Sequence, residues 1–129
     1  MERKLPKRIV VKLGTNLLTN GKDSLDIETI QGIFAQIAAV KKSGIEVLIV
    51  SSGAVAAGRE SLSRTPDRNK LQVGTVAYKQ ALAALGQPQL MMTFEQIFAE
   101  HEVEVAQALI SRADLQSRSR YLNVRNTLE

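Results

Sequence analysis

The stretch IEVLIVSSGAVAAGRE, residues 45–60, decides how the chain folds, because its periodicity changes in the middle. Residues 45–50 are an almost unbroken apolar, β-branched run, the pattern of a strand buried on both faces. From Ala54 the residues are small, and 54 to about 62 reads as a helix. Ser51, Ser52 and Gly53 fill the turn between the two. Such a turn offers free backbone N–H groups to an anion. A serine there is equally suited to be the helix N-cap, and the turn alone does not decide between the two uses.

Working outward, residues 9–13 form a second short β-branched run that ends at Gly14, with Gly14-Thr15-Asn16 as its turn. From Asp26 the period becomes helical: Ile27, Ile30, Phe34 and Ile37 share a face, flanked by Ile33 and Val40. Ser24 or Asp26 suits its start, and Lys41-Lys42 followed by Gly44 suits its end. Residues 64–70 are polar and contain a proline, hence a loop. Residues 76–85 are an alanine-rich helix, broken or kinked at Gly86-Gln87-Pro88. It resumes from 89 to about 100 with Leu90, Phe94, Ile97 and Phe98 facing inward. Residues 103–110 read as a third strand, and a last helix starts near Ser117 with Tyr121, Val124, Arg125 and Leu128 on related faces. The order β-α-β-α-α-β-α predicts an α/β fold with a parallel sheet covered on both faces. The last helix stops without a glycine cap, and three strands make a small sheet with open edges. The fold is therefore expected to be incomplete, part of a longer chain. The open edges predict a homo-oligomer.

Bulk composition narrows the function classes. A length of 129 residues suits one domain, and 23% charged with 44% hydrophobic residues is globular rather than disordered composition. No apolar run approaches the ~18 residues of a membrane helix. The basic N-terminus lacks the apolar core and cleavage site of a signal peptide. With no cysteine there is no disulfide or thiolate metal site, and a single histidine, His101, argues against a histidine-built one. A cytoplasmic chain with no membrane partner is the expectation. The net charge of +4 could serve nucleic acid, but 4% aromatics and no tryptophan leave little for base stacking. Small anionic substrates fit the charge better.

In an open parallel sheet, ligands bind at the carboxyl ends of the strands. Three segments are expected to converge there: Lys12-Leu13-Gly14-Thr15, Ser51-Ser52-Gly53-Ala54 and Ser111-Arg112-Ala113-Asp114. They offer a lysine, hydroxyls, N–H groups and one carboxylate, an inventory suited to anions. Lys12 within a buried strand would need a partner anion to offset desolvation, unless it lies at an edge and reaches water. Asp114 reads as a cap or loop residue rather than a catalyst, and Arg112 as its ion-pair partner or a phosphate guide. His101 suits a helix end, and the three methionines read as core filler. There is no P-loop, no G-x-G-x-x-G fingerprint and no G-x-S-x-G elbow.

Four stretches, VVKLGTNLLT (10–19), VLIVSSGAVAAGRE (47–60), KQALAALGQ (79–87) and SRADLQSRSRYLNVRNTL (111–128), resemble the amino acid kinase family. The first two are shared loosely across that family, and the last two resemble its glutamate-phosphorylating members. The resemblance implies a three-layer α/β/α sandwich around a mainly parallel sheet, with residues 1–129 as the amino-acid-substrate part of the kinase domain. It implies that Lys12 contacts the transferring phosphoryl group with Gly14 and Thr15 beside it, and that Ser52, Gly53 and Ala54 hold the substrate. The partners it implies are L-glutamate and ATP, with Mg²⁺ carried by the nucleotide. The product would be glutamyl 5-phosphate, the first step of proline biosynthesis. A carboxylate with pKa near ~4.3 is already ionised at neutral pH, so no general base is required. The family's nucleotide pocket, second catalytic lysine and acidic-asparagine segment have no counterpart in 1–129, and residues 61–75 match least well. Residues 1–129 alone are therefore expected to be inactive.

Overall fold

The computed structural model describes residues 5–66, 70 and 72–129, so part of the 64–70 loop lies outside the described residues. Strand β1 (Arg8–Leu13) pairs in parallel with β2 (Glu46–Ser51), with Lys12 opposite Val50 and Leu13 opposite Ser51. An Arg8–Glu46 ion pair at 2.7 Å joins the two strand starts. Parallel strands need a crossover, which here is α1 (Thr15–Thr19) and α2 (Ile27–Lys42). After β2 come α3 (Ala54–Ser63), α4 (Val76–Ala99), α5 (Arg112–Gln116) and α6 (Arg118–Leu128).

The core lies on one face of the sheet. Alternation along the strands turns Val11, Leu13, Val47 and Ile49 toward Ile30, Phe34 and Ile37 of α2 and Leu90, Phe94, Ile97 and Phe98 of α4. Phe34 stacks on Phe98 with ring centroids 4.1 Å apart and meets Phe94 edge-on at 4.7 Å. The helical face predicted for α2 is buried as expected except Ile27, which is exposed in the first turn. Its end is as predicted, with Lys41 and Lys42 in the last turn and Gly44 at φ +89°. Of the methionines, Met91 is half-buried and Met92 exposed, so Met92 is not core filler; Met1 lies outside the described residues.

Two predicted features change. Helix α4 runs unbroken through Pro88. The proline removes one N–H, but Ala84, whose carbonyl would have received it, and Pro88 itself are both on the exposed side, where water can compensate. The predicted third strand at 103–110 is extended but joins no ladder: among the described residues the sheet has two strands. Only Val103 and Val105 of that segment pack on the core, and a cleft separates the segment from β2. Val10 and Val50, on the sheet face opposite the core, are exposed, so the second helical layer of the sandwich is not among the described residues. The α/β fold is in this sense incomplete.

Helices α3 and α4 touch backbone to backbone. A methyl group on Gly58 would sit 1.9 Å from the Leu82 carbonyl oxygen, and one on Gly86 would sit 1.7 Å from that of Ala54. No rotamer change relieves a clash with backbone, so both positions require glycine. This crossing fixes the start of α3, and with it the turn that follows β2.

Candidate anion site at the strand ends

The carboxyl ends of β1 and β2 bring two of the three predicted segments together. Leu13 receives a hydrogen bond from the Ser52 N–H at 3.3 Å, continuing the ladder one step beyond β2. Thr15 Oγ1 donates to the Ser52 carbonyl oxygen at 3.1 Å and lies 3.2 Å from Ser52 Oγ. One hydroxyl thereby clamps the turn after β1 to the turn after β2.

Helix α3 starts at this clamp. Gly53 is its N-cap residue, and no side chain caps it. The serine-cap use of the turn is thus not taken up: Ser51 Oγ accepts from the Gly53 N–H at 3.4 Å, while Ser52 Oγ faces Thr15. The Gly53 carbonyl oxygen accepts from the Ala57 N–H at 3.0 Å, the first bond of the helix. The N–H groups of Ala54 and Val55 have no hydrogen-bond partner among the described residues. First-turn donors and the positive end of the helix dipole are suited to a negative group. Gly53 itself is explained by packing, because a methyl group there would lie 2.7 Å from Leu18 Cδ1 and 3.1 Å from Leu90 Cδ1. Around Gly14 the space is open, so ligand can approach its backbone.

Lys12 takes the second of the two settings expected for it, reaching solvent from an edge strand. It is exposed, on the strand face that carries Val10 and Val50, and it forms no hydrogen bond or ion pair among the described residues. The desolvation penalty inferred from its strand is absent because the face it occupies is uncovered. It sits one residue before the end of β1, with its charge uncommitted.

The third segment stays apart. Ser111 and Asp114 form a closed capping box for α5: Asp114 Oδ2 accepts from Ser111 N–H at 2.8 Å and from its hydroxyl at 2.6 Å. These bonds, the hydroxyl's first, hold the Asp114 carboxyl below the usual carboxylate range. Asp114 is thus a capping residue, as its sequence position predicts, and Arg112 does not pair with it. No hydrogen bond or ion pair joins 111–114 to the strand-end turns among the described residues.

Sequence reasoning missed the network around Asp26. This residue opens α2, but its carboxylate takes the Lys22 amine and the Thr29 hydroxyl instead of a helix N–H. The D-x-x-T spacing from Asp26 to Thr29 is the signal that would have shown it.

The sequence profile of the amino acid kinase family matches residues 7–129, nearly the whole chain and both strand-end turns. The chain belongs to the amino acid kinase family. This amino acid kinase chain is 50% identical over 124 residues to a glutamate 5-kinase of Dehalococcoides mccartyi, covering 95% of this chain and 31% of that protein. It is 48% identical over 124 residues to a glutamate 5-kinase of Shewanella amazonensis, covering 95% and 31%. A glutamate 5-kinase of Herpetosiphon aurantiacus is 48% identical over 128 residues, covering 99% and 33%. The chain spans about a third of the length of the relatives it matches.

The donors at the two turns are amine, hydroxyl and N–H, a set for anions. Among the described residues no group of three or more carboxylates or imidazoles could hold a metal ion. No helix among the described residues is long and apolar enough to cross a membrane.

Proposed function

We propose that the two clamped turns seat the phosphoacceptor of an ATP-dependent kinase whose substrate is L-glutamate. In this reading Ser52, Gly53 and Ala54 hold the amino acid, with the free N–H groups at the start of α3 receiving a carboxylate. Gly14 and Thr15 border the position of the transferring phosphoryl group, and the Lys12 ammonium stabilises charge on it. The phosphoryl group passes from the γ-position of ATP to the side-chain carboxylate, giving glutamyl 5-phosphate, the entry to proline biosynthesis. The acceptor is ionised at neutral pH, so positioning and charge stabilisation suffice. The observation that supports this reading is the contact of Thr15 with Ser52, which holds the two turns together at one sheet end. The names of the relatives supply the choice of glutamate. Further parts of the proposal are a cytoplasmic, homo-oligomeric parent enzyme and a nucleotide pocket outside residues 1–129.

Calorimetry on the 129-residue chain tests the assignment. Glutamate is expected to bind, aspartate and acetylglutamate to bind more weakly, and ATP not to bind. Equal binding of all three amino acids would favour a sibling kinase. Turnover of ATP and glutamate by this chain alone would overturn the placement of the nucleotide pocket.

A further inference from the structure

Helix α4 lines the cleft beside β2 with Gln87, Leu90, Met91, Phe94 and Phe98. Four of these are apolar, and only Gln87 carries an amide. Its neighbours on the helix fix its place. Gly86 abuts the Ala54 carbonyl oxygen, and Leu90, one turn on, abuts Gly53. Gln87 therefore stands beside the turn that follows β2, and Ser51, the last residue of that strand, lines the cleft with it. The placement is rigid, because the contact at Gly86 is backbone against backbone. It holds the Cα of Gln87 within about 7 Å of the Ala54 carbonyl oxygen, a distance a glutamine side chain can largely span. Gln87 is half-buried, and its amide makes no hydrogen bond among the described residues. Nor is the amide sealed from solvent, so a ligand can reach it.

In the glutamate reading of the strand ends, the free N–H groups of α3 take a carboxylate, while Lys12, Thr15 and Ser52 add an amine and hydroxyls. L-Glutamate also carries an ammonium, and nothing in that set is a side-chain carbonyl or carboxylate to receive it. The positive end of the α3 dipole repels it. Asp114, the one carboxylate of the three predicted segments, is committed to its capping box. We propose, on the reading of the strand ends as a glutamate seat, that Gln87 is a further substrate-binding residue whose Oε1 accepts a hydrogen bond from the α-ammonium. An amide oxygen suits this task because it is neutral: it takes the ammonium without repelling the carboxylates bound beside it. The contact selects a free amino group over an acylated or absent one, since either change leaves Gln87 without its partner.

Calorimetry of the 129-residue chain with L-glutamate and with glutarate, the same dicarboxylate without the amino group, tests the contact. The parent chain is expected to bind glutamate about tenfold more tightly than glutarate, the worth of one charge-assisted hydrogen bond. Gln87→Met keeps the length and helix preference of the side chain but removes the amide. It should weaken glutamate about tenfold and leave glutarate within about twofold, and the retained glutarate binding shows that the seat is still folded. Gln87→Glu supplies a charged acceptor, so it should hold glutamate at or above the parental affinity and weaken glutarate several-fold by repulsion. Equal losses for both ligands in the methionine variant would mean that Gln87 only supports the fold, and they overturn the proposal; so does an unchanged affinity for glutamate. A parent chain that binds both ligands equally leaves the seat standing and removes Gln87 from it. One that binds neither overturns the glutamate seat itself, and the role of Gln87 with it.

Discussion

Thr15 commits its hydroxyl to Ser52, so it acts on the anion site by positioning the turn that carries the free N–H groups. Thr15→Val keeps the shape and removes both polar contacts, whereas Thr15→Ser keeps them. The loss of about one net hydrogen bond, on the order of 1 kcal/mol, predicts roughly fivefold weaker glutamate binding in the valine variant and near-parental binding in the serine variant. Amide exchange at Ser52 to Ala54 should quicken only in the valine variant, a readout that holds whatever the ligand. Lys12 shows where residue-level reading runs out. Ile9, Val11 and Leu13 alternate with Arg8, Val10 and Lys12, which marks the apolar face of β1 but does not say whether a second layer covers the other face as well. The core side follows from where α2 and α4 pack, and Lys12 falls on the other.

At the scale of elements, ends were more legible than partners. Gly44 after Lys41-Lys42 marks the end of α2 because a positive φ and a cationic last turn are local requirements. The apolar run at 103–110 marks an extended segment, but pairing is a property of two edges, and this segment joins no ladder among the described residues. The start of α2 yields a pH prediction. The Lys22 amine, then the Thr29 hydroxyl, lower the Asp26 carboxyl from its ordinary 3.8 to about 2. A carboxyl depressed in the folded chain adds stability that is fully present above its unfolded pKa and fades as pH falls through the folded value. Asp26→Asn should therefore lower Tm at pH 7, and the gap from the parent should shrink below about pH 4 and close near pH 2. Thermal melts of the two proteins across pH 2–7 measure it. A constant gap would mean that shape, not charge, is what Asp26 supplies.

For the whole molecule, stability is distributed unevenly. The buried core draws its side chains from between Leu13 and Phe98, with Val103 and Val105 packed at its margin, while α5 and α6 contribute no buried residue. Leu109, Leu115 and Tyr121 are exposed, so the segment after Val105 has little to hold it against local opening. Trypsin should accordingly cut first at Arg112, Arg118 and Arg120, all exposed, and much later at Arg59 within α3 or Lys79 within α4, which are tied together at the Gly58–Gly86 crossing. Mass spectrometry of a timed digest orders the cuts. Comparable early cleavage at Arg59 would show that the α3–α4 pair opens as readily as the C-terminal segment, and that the core is not a separate unit of stability.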